Sequence, residues 1–135
     1  MDIIIYVIII FVIAFFFFGG TLKGKLSYQQ LLDLAQNAGF SYADANIAAA
    51  VALAESKGNP LAYNPETDAA GGTPPFLGSY GLWQIYLKEH PEFSGQNLYD
   101  RQTNANAAFS IFTKRGSFKD WSTYNNGDYQ AYIQF

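Results

Sequence analysis

The chain has 135 residues, a net charge of −3, one histidine and no cysteine. Its length allows one domain with one additional segment, and the lack of thiols excludes disulfides and argues strongly against a structural zinc site, so we predict no metal and no cofactor. The absence of basic clusters argues against a nucleic-acid partner, because phosphate binding needs concentrated Lys and Arg. Ten tyrosines, two tryptophans and abundant Asn and Gln instead suit a neutral, hydroxyl-rich ligand such as a sugar.

The N-terminal segment is strongly apolar. Residues 3–18 form an uninterrupted apolar run, and residues 3–22 carry no charge. About twenty such residues span the hydrocarbon of a bilayer, so we predict a transmembrane anchor at residues 1–22 and a membrane partner through residues 3–22. The alternatives are a cleaved signal peptide and a buried core helix. A signal peptide typically begins with basic residues, whereas this chain begins with Asp2.

Residues 23–40 are predicted to form a tether and a leading helix. Lys23 and Lys25 follow the anchor directly, and by the positive-inside tendency they favour the cytoplasmic side for the domain that follows. The helix is predicted at residues 27–38, where Ser27 and Gln30 have the spacing of a capping box. Gly39 is the predicted stop.

A second helix is predicted to begin at Ser41 and to continue through an alanine-rich stretch to Glu55, with Gly58 and Pro60 ending it just past this acid. Glu55 shares the predicted buried stripe of this helix, which contains Ala48, Val51 and Ala52.

Desolvation on that stripe and the negative end of the helix dipole both disfavour the ionised form, so we expect the pKa of Glu55 to be raised. A carboxylic acid that keeps its proton near neutral pH can protonate the leaving oxygen of a glycosidic bond. The alternative interpretation of Glu55 is a solvated surface residue near a helix end.

Residues 57–78 contain four prolines and four glycines, which exclude a regular helix or a central strand. We interpret this segment as the wall of a cleft, with a short hairpin as one form it can take. Residues 78–85 then combine two glycines and a tryptophan with Ser79, Tyr80 and Gln84, and we predict that these three side chains bind a ligand. The alternative is an ordinary turn leading into a buried element. His90, beside Pro91, is interpreted as a surface loop residue.

A further helix is predicted at residues 100–114, with Asp100 as its N-cap and Gly116 as its stop. Residues 118–124 are either a short helix or part of a two-residue hairpin at Asn126-Gly127. The aromatic residues beyond, including Tyr129 and Tyr132, are predicted to close the core.

Four segments together resemble the soluble lytic transglycosylase domains of the lysozyme superfamily, and the bacteriophage version looks closest. The resemblance covers residues 41–132. Two departures are Trp83, where the family usually has methionine, and a longer segment at residues 69–77. The segments that carry the resemblance are Ala54-Glu55-Ser56 with Asn59-Pro60, Gly81-Leu82-Trp83-Gln84-Ile85, Asn104 with Ala107-Ala108, and Trp121 with Tyr124-Asn125 and Gly127.

The resemblance implies a mainly helical α+β lysozyme-like domain at residues 41–135, with a small β-hairpin or loop region at the cleft. It implies that Glu55 is the catalytic acid and that Tyr124 lies close to it and orients it or the sugar. It further implies that Ser79, Gln84 and Asn125 touch the glycan.

In that family the Glu protonates the oxygen between N-acetylmuramic acid and N-acetylglucosamine and then accepts the C6 hydroxyl proton, which gives a 1,6-anhydro product. One carboxylate is sufficient because no water is consumed. The first alternative is a lysozyme-type hydrolase, which normally needs a second carboxylate about 5 to 9.5 Å away. Its candidates by residue type are Glu66, Asp68, Asp100, Asp120 and Asp128.

The second alternative is an inactive glycan-binding or structural protein of a virion or secretion machine. We expect a single-pass membrane location, either in a virion membrane or in a host envelope with the domain facing the periplasm. Virion residence would remove the conflict with the topology that Lys23 and Lys25 favour. The expected partners are the glycan strand, the lipid membrane and neighbouring virion or membrane proteins.

Overall fold

The computed structural model describes residues 24–66 and 77–134. These residues form a mainly helical domain with one small sheet, as predicted. In chain order the elements are α1 (Tyr28–Ala38), α2 (Tyr42–Ser56), β1 (Tyr63–Asn64), β2 (Ser79–Tyr80), β3 (Ile85–Tyr86), a 3-10 helix (Pro91–Phe93), α3 (Arg101–Arg115), α4 (Ser122–Asn125) and a second 3-10 helix (Asp128–Tyr132).

The predicted membrane anchor at residues 1–22 lies outside the described residues. Within the two described ranges, no helix combines the length and the apolar character needed to cross a bilayer. The segment at residues 69–77 also lies outside the described residues, except for Leu77.

The helix beginnings follow the local sequence signals. The Ser27 hydroxyl accepts a hydrogen bond from the Gln30 N–H, and the Gln30 side chain accepts one from the Ser27 N–H, which completes the predicted capping box. The side chains of Ser41 and Asp100 cap α2 and α3, each accepting a hydrogen bond from the backbone N–H three residues further on. These caps confirm the predicted helices to within a few residues.

The end of α2 lies slightly before the predicted stop. Lys57 already adopts the left-handed conformation, with φ of 57°, and Gly58 follows with φ of 76°. A Cβ atom on Gly58 would lie 2.5 Å from the Leu26 carbonyl oxygen, so only glycine fits at this crossing. The chain therefore turns sharply two residues after Glu55.

The three strands form an antiparallel sheet in the order β1-β2-β3. Tyr63 pairs with Tyr80, and Ser79 pairs with Tyr86. Because side chains alternate along a strand, Ser79 and Tyr86 share one face while Tyr63 and Tyr80 share the other. Residues 78–85 thus contain β2, a turn and the first residue of β3. The short hairpin considered for residues 57–78 corresponds to the pairing of β1 with β2.

The core is arranged around α2. Helix α1 packs against both α2 and α3, while α2 also contacts α4 and the 3-10 helix Asp128–Tyr132. Trp83 has no exposed surface, and its indole N–H donates to the Ala48 carbonyl at 2.9 Å. The indole N–H of Trp121 in turn donates to the Trp83 carbonyl at 2.8 Å. Two tryptophans therefore fasten the hairpin and the beginning of α4 to the middle of α2.

The C-terminal region corrects one of the two structures considered for it. Residues Ser122–Asn125 are helical, which agrees with the short helix, and the two-residue hairpin at Asn126-Gly127 is wrong. Gly127 instead uses its left-handed conformation, with φ of 86°, to begin the 3-10 helix Asp128–Tyr132. Tyr129 and Tyr132 pack against the core, as predicted.

Candidate active site

Glu55 lies in the last turn of α2 and faces a groove. The residues one and two turns before it on the same stripe, Ala48, Val51 and Ala52, have no exposed surface, so the helix carries the acid out of the core. The groove has a volume of about 180 Å³. Its walls are formed by Glu55, Glu66, Ser79, Gln84, Ile85, Tyr86, Glu89, His90, Ile111, Asp120, Trp121 and Ser122.

Burial raises the pKa of Glu55 above its ordinary value, and this desolvation is the largest effect on the group. Hydrogen bonds from the side chain and backbone of Thr123 lower the pKa, while the negative charges of Glu66 and Asp128 raise it. The net direction is upward. The sequence predicted this direction from desolvation and the helix dipole, and the structure adds the two neighbouring carboxylates.

Thr123 is the hydrogen-bond partner of Glu55. Its hydroxyl donates to Oε2 of Glu55 at 2.7 Å. Thr123 lies in α4, two residues after Trp121, whose hydrogen bond to Trp83 fixes the beginning of that helix. The hydrogen bonds of the two core tryptophans therefore position Thr123 next to Glu55.

Replacing Thr123 by Val removes this hydroxyl at nearly constant volume. Because the hydrogen bond stabilises the ionised carboxylate, its loss raises the pKa of Glu55 further. If Glu55 acts as a general acid, the alkaline limb of the pH–rate profile moves to higher pH, and kcat falls by about 10-fold as the carboxyl loses its orientation. The pH dependence of kcat on a purified glycan substrate measures both effects.

Thr123→Ser is the matched control because it keeps the hydroxyl. It should leave the alkaline limb where the wild-type protein has it. An unshifted profile in Thr123→Val would show that the hydrogen bond does not control the acid.

The opposite wall is built from Ser79, Glu66 and Gln84. Ser79 is 4% exposed, and its hydroxyl donates to Oε1 of Glu66 at 2.9 Å. The Gln84 amide donates to the carbonyls of Gly81 at 3.1 Å and Ala62 at 3.3 Å. These bonds join the β2–β3 turn to the segment before β1. The predicted residues Ser79 and Gln84 therefore do lie in the groove with Glu55.

Backbone strain concentrates around this groove. In the described residues the non-glycine residues with positive φ are Lys57, Glu66 and Gln84, at 57°, 54° and 49°. Two of them line the groove, and Lys57 follows Glu55 by two residues. Such conformations cost on the order of 1–3 kcal/mol and cluster at functional sites.

Three residues predicted to bind substrate lie elsewhere. The ring of Tyr80 packs between Tyr63 and Tyr99, with ring centroids 4.8 and 5.5 Å away and inclined ring planes, on the sheet face opposite Ser79. The ring of Tyr124 packs on Tyr129 at 4.9 Å. The described residues lining the groove do not include these tyrosines or Asn125.

Local geometry explains these placements. The period of two along β2 turns Tyr80 away from Ser79. Successive helical residues are about 100° apart, so Thr123 and Tyr124 point in different directions from α4. The Asn125 amide donates to the Lys119 carbonyl at 2.7 Å and so closes its own loop. Contact of these three residues with a glycan stays a prediction.

His90 is more enclosed than a surface loop residue. Its side chain is 19% exposed, with Nδ1 3.6 Å from Oε1 of Glu92 and Nε2 3.9 Å from Oδ2 of Asp120. No local pattern in the sequence indicates this position, or the placement of Glu66 and Asp120 in the groove, because tertiary packing brings these residues together. Thr123 lies within a segment that carries the resemblance, but a four-residue helix has too few positions to show which one faces Glu55.

The site combines a half-buried acid of raised pKa, a helix end, a small sheet and a groove lined by hydroxyl and carboxylate groups. These features agree with the acid site expected of a lysozyme-like domain. Residues 32–123, more than half of the chain, match the family described as "Lysozyme like domain", and the chain belongs to this family. Membership indicates peptidoglycan cleavage in general and a peptidoglycan glycan as substrate. Searches of curated proteins and of solved structures gave no match.

Proposed function

We propose that this protein is a lytic transglycosylase that cleaves the β-1,4 bond between N-acetylmuramic acid and N-acetylglucosamine. The observation that carries the proposal is the environment of Glu55, which is desolvated on α2, held through one oxygen by Thr123, and open to the groove. Such a carboxyl can give and then regain one proton.

The first step is proton transfer from Glu55 to the glycosidic oxygen, which breaks the bond to C1 and leaves a free 4-hydroxyl on the departing sugar. The Thr123 hydroxyl stabilises the carboxylate that forms. Positive charge develops at C1. The other carboxylates lining the groove, Glu66, Glu89 and Asp120, favour that charge electrostatically.

The second step returns the proton. The Glu55 carboxylate accepts it from the C6 hydroxyl of the muramyl ring, and O6 bonds to C1. Bond formation closes the 1,6-anhydro ring and restores the protonated acid. The reaction consumes no water, so a second catalytic carboxylate is unnecessary.

The product mass tests this reaction. Digestion of purified sacculi is expected to release muropeptides whose muramyl ends are one water lighter than reducing ends. Carrying out the digestion in water labelled with heavy oxygen sharpens the result, because a transglycosylase incorporates no label at C1. Labelled reducing ends would identify a hydrolase instead.

One observation favours the hydrolase as a second candidate. Glu66 lines the same groove as Glu55 and is held in place by the Ser79 hydroxyl. A hydrolase would use such a carboxylate as a base for water or as a nucleophile.

Glu66→Gln separates the two reactions. In a transglycosylase this variant keeps forming the anhydro product, within about tenfold of the wild-type rate. The pKa of Glu55 falls because a neighbouring negative charge is removed, so the alkaline limb moves to lower pH. In a hydrolase the variant loses about 10²-fold or more of its activity. Product mass and the pH–rate profile of one purified variant distinguish these outcomes.

The setting that we propose is a membrane tether. Residues 3–22 would anchor the domain in a virion membrane or a host envelope, with the domain facing the periplasm, and the support is their uncharged, apolar sequence. Protease treatment of intact membranes or particles tests the location. Digestion of the domain before the membrane is permeabilised places it outside, and digestion only afterwards places it inside.

A further inference from the structure

The groove continues into a second cavity. This extension has a volume of about 400 Å³ and opens beside the end of α3. The residues shared by the two cavities are Glu89, His90, Ile111 and Asp120, so the two cavities adjoin each other. The extension adds Glu92, Lys114 and Arg115 to its lining.

The two cavities differ in charge. The described residues lining the groove around Glu55 include four carboxylates and neither lysine nor arginine. The extension brings Lys114 and Arg115, from the last turn of α3, opposite Glu89 and Glu92. It therefore offers both positive and negative groups, whereas the groove itself repels an anionic substituent.

Arg115 is fixed at the junction between the cavities. Its Nε lies 3.5 Å from Oδ1 of Asp120, and its side chain is 53% exposed. A guanidinium has further donors beyond Nε, arranged in a plane that matches a carboxylate. The lysine next to it, Lys114, is exposed at the rim. Together they place two positively charged side chains beside the groove that contains Glu55.

We propose that this extension binds the peptide stem of peptidoglycan, an inference that rests on the proposed function for its substrate. The stem is attached to the muramyl ring next to the scissile bond, so a pocket for it must open directly from the cleavage groove. The stem carries carboxylates, which Lys114 and Arg115 bind, and a diamino acid whose free amine Glu89 and Glu92 bind.

Binding, rather than cleavage, tests the proposal. The full-length chain with Glu55→Gln, purified in mild detergent because of its apolar N-terminal sequence, is titrated with soluble glycan strands. One sample retains its peptide stems, and a matched sample has had them removed by an amidase. Because each exposed ion pair changes affinity about two- to fivefold, strands with stems should bind about tenfold more tightly. Added salt should reduce this preference.

The variants are made in the same Glu55→Gln background. Lys114→Gln should reduce the preference to about threefold, and Lys114→Gln with Arg115→Gln should reduce it further, to the part that Glu89 and Glu92 contribute. Lys119→Gln removes an exposed positive charge that lines neither cavity and should leave the preference unchanged. Lys114→Gln alone keeps the ion pair between Arg115 and Asp120, so its result stands even if the double variant unfolds at a lower temperature.

Equal binding of the two strand samples would overturn the proposal and make the extension a further sugar subsite or an unused cavity. A preference that is undiminished in both variants would overturn the assignment of Lys114 and Arg115. Cleavage is measured separately with the wild-type protein. Stem preference without cleavage would reject the proposed reaction and leave the peptide site, whereas cleavage without stem preference would reject only the site.

Discussion

Replacing Glu55 by Gln is expected to lower the rate of glycan cleavage by about 10⁴-fold, the upper end of the range for general acid–base catalysis, because in the proposed reaction this one carboxyl supplies both proton transfers. The amide oxygen of Gln still accepts the hydrogen bond from Thr123, so the geometry of the site is retained. What the variant lacks is a proton that it can give and regain. The release of muropeptides from purified sacculi measures the loss.

The stability of Glu55→Gln provides an independent check of the raised pKa of Glu55. Because the pKa of Glu55 is raised in the folded protein, its stabilising contribution is complete below the unfolded pKa and is lost as pH rises through the folded pKa. Gln has no such loss. Glu55→Gln should therefore be more stable than the wild-type protein at neutral and alkaline pH, and the difference should disappear in acid. Thermal unfolding at several pH values measures it.

Asp44→Asn is the matched control on the same helix. Asp44 lies in the first turn of α2, is partly buried, and undergoes the same change from carboxylate to amide. It should retain wild-type activity and show no comparable gain in stability at high pH. Cleavage by Glu55→Gln at more than a small fraction of the wild-type rate would remove Glu55 from the reaction.

The sequence predicted the features that depend on neighbouring residues. The helix beginnings are predictable because a capping side chain such as Ser27 or Asp100 accepts a hydrogen bond from a backbone N–H only three residues away. The raised pKa of Glu55 is also predictable, because helical periodicity places Glu55 on a stripe of small apolar residues. Both signals are short in sequence and do not require knowledge of the tertiary packing.

The features that the sequence missed depend on long-range packing. Strands of two residues are too short to show alternation, so nothing in the sequence indicated that Tyr80 faces away from Ser79. Thr123 contacts Glu55 across 68 residues of chain, and Ser79 contacts Glu66 across 13 residues. The groove and its charged extension are formed by such pairs, which a single sequence does not specify.

The motif at residues 81–85 contains two kinds of residue: some pack the hairpin against the core, and others line the groove. Gly81 has φ of 74°, and a Cβ atom there would lie 2.3 Å from Nδ2 of Asn104. Trp83, the departure from the usual methionine, is fully buried and lies in the core, so it changes packing and not the groove. In this motif Gln84 and Ile85 line the groove. Gly81 and Trp83 instead contact Asn104 and so attach the hairpin to α3.

Asn104→Asp is expected to lower the free energy of unfolding by about 3–5 kcal/mol. Asn104 has no exposed surface, and its Oδ1 accepts from the Trp83 N–H at 2.9 Å. Its Nδ2 donates to the carbonyls of Tyr80 at 2.8 Å and Leu98 at 2.9 Å. Aspartate has nearly the same shape, but it turns a carboxylate oxygen toward two carbonyl oxygens. The hairpin that carries Ser79 and Gln84 then loses its attachment to α3.

The pH dependence of this loss identifies its cause. Burial raises the pKa of the introduced carboxyl, and its protonated form can still donate one hydrogen bond, so the destabilisation should be smaller in mild acid than at neutral pH. Urea unfolding followed by tryptophan fluorescence measures both values. Asn106→Asp, an exposed change on the same helix whose oxygen can still accept from Gln102, should stay within about 0.5 kcal/mol of the wild-type protein. Equal stability of the two variants would mean that the Asn104 amide does not hold the hairpin to α3.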